Sequence, residues 1–294
     1  MNLVITLIAG RDAEGLLAGR VTAVRSALPA GSPDWLATGR ACDLVLRDGD
    51  AAEAEALARQ AIGDAAIDVL VQPAEGRRKR IFVADLESTI IENEMLDELA
   101  DFVGLRDHVA EITRRAMNGE LDFAAALKER VALLKGLPTA VLDEAAGRIR
   151  LMPGARPLLA TLRAAGVYTA LVSGGFTVFV ERIAAELGFD RVSANRLDIT
   201  DGHIAGTVAP PILTRETKRA TLLQMAQDAG VPLSATLAVG DGANDLPMLE
   251  AAGLGIAFRA KPAVAAASRW RLDHADLTGV LYAQGYRKEE ILEP

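Results

Sequence analysis

The amino-acid sequence predicts an α/β protein in which helices cover a parallel sheet, with a small α+β domain in front. From Ile81 onward, apolar β-branched runs alternate with segments of helical spacing, and three of these runs read RIFVAD, VYTALVSG and TLAVGD. Each run is almost continuously apolar and ends in a polar loop, which is typical of strands buried on both faces. The segment between the first two runs is too long for a simple crossover. Its spacing predicts a helical insert over roughly residues 95–150.

The front of the chain predicts a separate domain with the element order β-α-β-β-α-β. The runs LVITLIA, PDWLATGR, ACDLVLRDGD and AIDVLVQP favour strands, whereas AEGLLAGRVTAVRSAL and AAEAEALARQAIG have helical spacing. This order is the split-βαβ pattern and resembles the small ligand-sensing ACT modules. The polar run PAEGRRKR follows at Pro73–Arg80 and favours a solvated linker. We therefore predict domains over residues 1–76 and 77–294.

Composition limits the classes of partner and the compartment. The net charge of −8 makes nucleic acid and anionic membranes poor partners. The single cysteine excludes an intrachain disulfide, which fits a reducing compartment. The apolar first ten residues lack a basic region and a cleavage site, so they favour a strand over a signal peptide, and no apolar run reaches the ~20 residues of a membrane span. The expectation is a soluble, cytoplasmic protein without nucleic-acid or membrane partners; a homodimer is one option for its oligomeric state.

Polar side chains stand at the ends of the three predicted core strands. These are Asp85, Ser173 and Asp241. Ligands of doubly wound sheets bind beyond the carboxyl ends of the strands, so the three groups converge if their strands are neighbours. Ser173 is followed by two glycines and a helical stretch, and such a turn suits a phosphate as well as an ordinary helix cap.

The segment VGDGANDLPML contains a cluster of hard oxygen ligands. Asp241, Asn244 and Asp245 fall within five residues, which suits Mg²⁺ but is also compatible with an Asx-rich turn that caps the next helix. Lys218, at the start of the predicted helix RETKRATLLQM, could neutralise phosphoryl oxygens, although a lone lysine there is more often solvated.

The segment DLEST carries two acids at a strand end. A carboxylate such as Asp85 can attack phosphorus and form an aspartyl-phosphate, provided that cations cancel the repulsion between anions. A second acid two residues later, Glu87, can protonate the leaving oxygen and then activate water. The same letters also fit a capped helix start, and both interpretations can hold together.

Four ordered motifs resemble those of the haloacid dehalogenase-like phosphatase superfamily: Asp85-x-Glu87-x-Thr89, Ser173, Lys218 and Gly240-Asp241-Gly-x-Asn244-Asp245. The flanking words IIENEMLDELA, LKERVALLKGLP, VSGGF, ANRL and AVGDGANDLPML resemble its phosphoserine phosphatase branch. The likeness covers roughly residues 80–275. It implies a Rossmann-like parallel-sheet core with a helical cap, and the front domain is similar to one that some bacterial members carry.

The resemblance implies catalytic and metal-binding roles. Asp85 would be the nucleophile and a Mg²⁺ ligand. Glu87 would be the general acid and base, with its backbone carbonyl on the metal. Asp241 and Asp245 would complete the Mg²⁺ site.

The resemblance also implies residues that hold the phosphate. Ser173 and Gly174 would bind it, with Lys218 beside it as a further catalytic cation. Asn244 would contact the substrate and support the site.

The helical cap would carry the substrate specificity. The resemblance implies that Glu94 receives the ammonium group of O-phosphoserine and that Arg130 receives its carboxylate. A guanidinium binds a carboxylate in bidentate fashion, so this assignment is chemically sensible. Met117 and Phe123 would cover the ligand. Ordinary helix charges and plain core packing remain the alternatives for these four residues.

The chain departs from the family pattern at its second acid, where Glu87 stands in place of Asp. A misplacement of about 1 Å can cost on the order of 10²-fold in rate. Three functions therefore stay open: a Mg²⁺-dependent phosphoserine phosphatase, a transferase that passes the phosphoryl group to homoserine, and a weakened enzyme that binds phospho-amino acids. The rest of the charge-cancelling set is intact, which argues against the third. We expect hydrolysis of O-phospho-L-serine, the last step of L-serine biosynthesis.

Overall fold

The structure is a computed structural model and describes residues 2–10 and 18–294. The described residues form two compact units, each assembled from separated parts of the chain. The N-terminal unit draws on residues 1–80, 153–167 and 269–294, and the core unit contains residues 81–152 and 168–268. The predicted domain boundary between residues 76 and 77 stays a prediction.

The elements alternate as expected for an α/β chain. Those before residue 80 are β1 (Leu3–Ala9), α1 (Ala18–Ala27), β2 (Asp34–Ala37), β3 (Ala41–Leu46), α2 (Ala51–Ile62) and β4 (Ile67–Pro73). Those that follow are β5 (Ile81–Ala84), α3 (Met95–Asp101), α4 (Arg106–Met117), α5 (Phe123–Ala132), α6 (Ala140–Ala146), α7 (Ala155–Ala164), β6 (Tyr168–Phe176), α8 (Thr177–Leu187), β7 (Arg191–Thr200), β8 (His203–Ala209), α9 (Arg215–Asp228), β9 (Thr236–Gly240), α10 (Leu246–Ala251), β10 (Leu254–Phe258), α11 (Pro262–Ala267), β11 (Trp270–Leu272) and α12 (Gly279–Ala283). Residues 13–17 of the first predicted helix lie outside the described residues.

The N-terminal unit contains an antiparallel sheet with the strand order β2-β3-β1-β4. The predicted β-α-β-β-α-β order is therefore confirmed, including the strand at β2. Alternate residues of β1 pack with α1 and α2 in one apolar core, as the period-2 geometry of a strand requires. Ile5 and Leu7 are fully buried in this core, together with Leu44 of β3.

Segments from the far end of the chain complete this unit. The carboxylate of Asp68, which is 2% exposed, accepts hydrogen bonds from the backbone N–H groups of Asp273, His274 and Ala275. The indole Nε1 of Trp270 donates to the carbonyl of Val71 at 2.9 Å. Both contacts tie β4 to residues about 200 positions away.

The basic run that the sequence predicts as a solvated linker is in fact partly buried. The Arg77 side chain is 12% exposed and forms an ion pair with Asp43 of β3. It also donates to the hydroxyl of Thr6, at 3.0 Å, and to the carbonyl of Ala283, at 3.1 Å. The prediction was wrong because the second face of β1 and β3 carries a buried acid, and a buried carboxylate needs a cation and hydrogen-bond donors.

Replacing Arg77 with alanine should lower the free energy of unfolding by about 3–5 kcal/mol, because Asp43 would remain buried without its cation. The neighbouring Arg78 offers a matched control, since its pair with Glu290 is exposed and its guanidinium stacks on Tyr286. Arg78→Ala should cost at most about 1 kcal/mol. Equilibrium urea unfolding of both variants measures the difference, and equal losses would contradict the argument.

The core unit is built on a mostly parallel sheet. Its strands follow the order β10-β9-β5-β6-β7-β8, and only β8 runs antiparallel to its neighbour. Strands β5 and β9 are fully buried along their length, as their continuous apolar runs predict, and β10 is fully buried as well. The predicted hairpin is confirmed: β7 and β8 meet at a turn in which Asp201 and Gly202 both have positive φ.

Four helices, α3 to α6, occupy the predicted helical insert between β5 and β6. Together they span residues 95–146, within the predicted range of roughly 95–150. A small apolar cluster of Ile112, Ala116 and Ala126 holds α4 against α5. Across the described part of the chain, no helix combines the length and the apolar character that crossing a membrane requires.

Candidate active site

Three polar strand ends meet in the core unit. Strand β5 is hydrogen-bonded to β6 on one side and to β9 on the other, in parallel register. Asp85 follows β5, Ser173 lies in β6 and Asp241 follows β9. The backbone N–H of Asp85 donates to the carbonyl of Val239 at 3.0 Å, which fixes the start of its loop. The condition set by the sequence, that these strands be neighbours, is therefore met.

A buried lysine lies between two of the acids. The Nζ atom of Lys218 is 2.7 Å from a carboxylate oxygen of Asp85 and 2.6 Å from one of Asp245. Helix α9 brings this lysine to the site from its first turn. Burial lowers the pKa of Lys218, but the Asp245 and Asp85 carboxylates outweigh burial and raise it overall. The two carboxylates therefore favour the charged form of Lys218 at the centre of the site.

The acids form a cluster that suits a divalent cation. Asp85, Asp241 and Asp245 are buried, and each offers an oxygen within 4.8 Å of the others. Burial raises the pKa of Asp85 well above its usual value, and repulsion from Asp245 and Asp241 adds to this. Burial and Asp245 likewise raise the pKa of Asp241 to about 7. Hard carboxylate oxygens that repel one another fit Mg²⁺, which would relieve the repulsion.

The loop after β9 positions Asp245 beneath the cluster. One oxygen of its carboxylate accepts hydrogen bonds from the backbone N–H groups of Asp241, at 3.1 Å, and Gly242, at 3.0 Å. A Cβ atom at Gly240 would lie 2.4 Å from the Asp245 carboxyl carbon. Glycine at the strand end is therefore required for Asp245 to fold back so closely.

The turn after β6 is shaped for close approach. The hydroxyl of Ser173 accepts a hydrogen bond from the backbone N–H of Gly175 at 2.9 Å. The amide of Asn195 on β7 donates to the carbonyl of Gly174 at 2.7 Å and accepts from the backbone N–H of Leu213 at 2.8 Å. Asn195 thus links the predicted phosphate loop to the segment that enters α9.

Glu87, which is one methylene longer than the Asp of the family pattern, contacts the first cap helix. One oxygen of the half-buried Glu87 carboxylate accepts a hydrogen bond from the backbone N–H of Met95 at 2.8 Å, at the start of α3. Its other oxygen lies near Gly175, where a Cβ atom would be 2.9 Å away. Burial, with repulsion from Glu94 and Asp85, raises the pKa of Glu87 to about 8. The extra methylene therefore connects the acid to the first cap helix.

The predicted cap residues face the same cavity. The carboxylate of Glu94 accepts a hydrogen bond from the Ser88 hydroxyl at 2.7 Å. Arg130 on α5 is only 2% exposed, and its Nη2 atom has no hydrogen-bond partner within the described residues. A Cβ atom at Gly174 would lie 2.4 Å from the Phe123 ring, so this ring covers the phosphate loop directly.

One cavity collects most of the predicted site residues. Its lining includes Asp85, Glu87, Glu94, Met117, Phe123, Arg130, Gly174, Asp241 and Asn244. A narrow neighbouring cleft is lined by Ser173 and Lys218, with Gly174, Phe123 and Asn244 shared between the two. Asp245 lines neither the cavity nor the cleft, but its carboxylate accepts a hydrogen bond from Lys218, which lines the cleft.

Sequence reasoning missed residues that act on this site. The Nζ atom of Lys261 is 3.4 Å from a carboxylate oxygen of Asp241, and Lys261 donates its backbone N–H to the Asp241 carbonyl. Lys261 lies three residues after β10, so the strand-end rule applied to a fourth strand could have found it. Asn195 stands within the word ANRL, which carried the family resemblance without a role for this residue.

Comparison with known proteins agrees with this geometry. The family model for the haloacid dehalogenase-like hydrolases matches residues 82–250. A phosphoserine phosphatase of Streptomyces coelicolor is 45% identical over 227 residues, which are 76% of this chain and 55% of that relative. The match thus spans about half the length of this relative. A phosphoserine phosphatase of Lactococcus lactis is 47% identical over 203 residues, which are 69% of this chain and 94% of the relative.

A solved structure of a relative has a similar fold. It is described as a phospho-aspartyl intermediate analogue of phosphoserine phosphatase, is 39% identical and superposes with a TM-score of 0.67. The alignment covers 72% of this chain and 100% of that one. The chain belongs to the haloacid dehalogenase-like hydrolase family.

Proposed function

We propose that this protein is a Mg²⁺-dependent phosphatase that hydrolyses O-phospho-L-serine to L-serine and phosphate, the closing step of L-serine biosynthesis, through an aspartyl-phosphate on Asp85. The observation that carries the proposal is the buried pair of Asp85 and Lys218, which opens on a cavity with Glu94 and Arg130 on its cap side. The relatives named phosphoserine phosphatase support the same substrate.

The first half-reaction transfers the phosphoryl group to the protein. A carboxylate oxygen of Asp85 attacks phosphorus, and the bond between phosphorus and the serine oxygen breaks. Glu87 gives its proton to that oxygen, so that L-serine leaves as a neutral alcohol. Lys218 offsets the negative charge on the phosphoryl oxygens, and Ser173 and Gly174 hold them in place. The solved phospho-aspartyl intermediate analogue of a relative supports this route.

The second half-reaction returns the protein to its starting state. Glu87, now a carboxylate, takes a proton from water, and the water oxygen attacks phosphorus. The bond between Asp85 and phosphorus breaks, and phosphate leaves. The hydrogen bond from Met95 holds one oxygen of Glu87, so the other oxygen is the one that moves the proton.

The metal site would be formed by Asp85, Asp241 and Asp245, together with the backbone carbonyl of Glu87. Their buried, mutually repelling oxygens are the donor set that Mg²⁺ prefers. When bound, Mg²⁺ would supply charge neutralisation for an anion that approaches an anion. Asn244, whose Oδ1 is without a partner in the described part of the chain, stands ready to contact ligand or water.

Turnover of O-phospho-L-serine tests the proposal. We expect free phosphate in Mg²⁺ and none in EDTA, with no phosphohomoserine when homoserine is in excess. Phosphohomoserine formed at the expense of phosphate would make the protein a transferase and would implicate Glu87. Binding of phosphoserine without either product would overturn the proposal in favour of a phospho-amino-acid binding protein.

Replacing Arg130 with alanine should raise the KM for phosphoserine by about 10²-fold, because the substrate carboxylate loses a charge-assisted partner. O-phosphoethanolamine has the phosphate and the amine but no carboxylate, so its kcat/KM should change little. Steady-state kinetics on both esters measures the contrast. Lys128→Ala, an exposed residue of the same helix, is the matched control and should leave both esters unaffected. Equal losses on both esters would remove Arg130 from carboxylate recognition.

A further inference from the structure

A row of hydrogen bonds joins three cap helices behind the substrate cavity. The Nη1 atom of Arg130 on α5 donates to the hydroxyl of Thr113 on α4 at 2.7 Å. That hydroxyl lies 2.9 Å from a carboxylate oxygen of Asp97 on α3 and 3.0 Å from the carbonyl of Val109. Thr113 is 4% exposed, so no bulk water competes for these positions.

The direction of these bonds follows from proton counting. A guanidinium only donates, so the hydroxyl of Thr113 must accept from Arg130 and has one proton left to give. An ionised Asp97 binds that proton more strongly than the carbonyl of Val109, because bonds to charged acceptors are roughly twice as strong as neutral ones. The row therefore runs from cation to hydroxyl to anion.

The same bonds fix what Arg130 can offer to a ligand. Its Nε atom donates to the carbonyl of Ala126 at 3.1 Å, and Nη1 is engaged by Thr113. Nη2 is the buried nitrogen that has no partner within the described residues. With two of its three nitrogens held by the cap itself, the planar group has one orientation and presents Nη2.

We propose that Thr113 and Asp97 are positioning residues that orient Arg130 and thereby set the preference for a phosphate ester that carries a carboxylate. The proposal rests on the proposed function, since it takes Arg130 as the carboxylate partner. Arg130 lines the cavity and these two residues do not, so both would act through the guanidinium. A loosely held arginine would have to lose its rotamer freedom on binding, so its orientation in advance favours the carboxylate ligand.

Charged groups around Asp97 shift its pKa and so affect this row of hydrogen bonds. Burial and the neighbouring Glu94 raise the pKa of Asp97 to about 6, whereas the Thr113 hydroxyl, Arg130 and Arg106 lower it. Lys261 also interacts electrostatically with Asp97 from the loop after β10. Asp97 is therefore an anion at pH 7.5 and mostly protonated at pH 5.

Removing the hydroxyl tests the proposal. Thr113→Val should raise the KM for phosphoserine about tenfold, because one hydrogen bond to a charged group is lost, and it should leave kcat/KM for O-phosphoethanolamine within about twofold. Thr113→Ser keeps the hydroxyl and should restore the preference. A thermal melt of each variant checks folding, and the contrast between the two esters measured on one preparation does not depend on the folded fraction.

The pH dependence of the preference gives a second readout. In the unmodified protein, the ratio of kcat/KM for phosphoserine to that for O-phosphoethanolamine should fall several-fold from pH 7.5 to pH 5. Asp97→Asn should show a low ratio that stays flat over the same range. Both esters share the phosphate and amine titrations, so the ratio reports recognition of the carboxylate by Arg130, and a flat profile in Asp97→Asn would assign the change to Asp97.

The outcomes distinguish a failure of the positioning proposal from a failure of the proposed function. If Arg130→Ala loses the preference but Thr113→Val and Asp97→Asn keep it, the positioning proposal is overturned and the proposed function stands. If Arg130→Ala affects both esters equally, Arg130 is not the carboxylate partner and the positioning proposal is overturned, whereas turnover of O-phospho-L-serine still decides the proposed function. Equal losses on both esters in Thr113→Val alone would show a merely structural role.

Discussion

Replacing Asp85 with asparagine should lower kcat for phosphoserine by at least about 10⁴-fold, in the range found when a nucleophile is removed from a catalytic unit. An amide nitrogen or oxygen at this position cannot form the acyl phosphate. Rapid acid quenching with labelled phosphoserine should trap phosphate on the unmodified protein and none on the variant. The substitution is nearly isosteric, so the variant should retain its fold.

The matched control is an acid a few residues away. Glu92 is exposed and pairs with Arg150 on the surface. Glu92→Gln should leave both turnover and trapping unchanged, since surface pairs contribute little. Trapping of label on Asp85→Asn would mean that another residue is the nucleophile.

Replacing Lys218 with methionine should have two large effects. The rate should fall by about 10²–10³-fold, because a preorganised cation beside the phosphoryl oxygens is lost. In metal-free buffer, the free energy of unfolding should fall by about 3–5 kcal/mol, since Asp85 and Asp245 would remain buried without their shared cation. Kinetics and urea unfolding in EDTA measure the two effects separately.

The adjacent Arg219 provides the comparison for this variant, because it is exposed on the same helix turn. Arg219→Met should change neither the rate nor the stability appreciably. A Lys218→Met protein that keeps its stability in EDTA would contradict the picture of two buried carboxylates, Asp85 and Asp245, held together by this lysine. In that case, only the measured rate would test the catalytic role of Lys218.

The core strands and the position of the site were predicted from the apolar runs of the sequence and from the polar residues that follow them. Continuous apolar runs identified β5, β6 and β9, and the polar residues after such runs had to meet once the strands were neighbours. The turn at Asp201 and Gly202 was equally readable, because only a few residue types accept positive φ at both positions. These features depend on short stretches of sequence.

Features that depend on distant parts of the chain were out of reach. Nothing near Thr113 in the sequence indicates that it lies between Arg130 and Asp97, since this follows from how three helices pack. The burial of Arg77 depends on Asp43, an acid 34 residues earlier on strand β3. The residues next to each of them in the sequence give no sign of a special role. Their roles follow only from how distant elements pack.

The contribution of residues 269–294 to the N-terminal unit has a consequence for synthesis. Strand β4 can pair with β1 early, but it lacks the hydrogen bond from the Trp270 indole until that residue is made, 199 residues after Val71. At ~5–20 residues per second, the early sheet waits roughly 10–40 s on the ribosome with its closing contacts unmade. Contacts of such sequence separation also form slowly. The nascent chain is therefore exposed to chaperones and to mispairing of its strands during this interval, which makes the order of translation a part of how this protein reaches its fold.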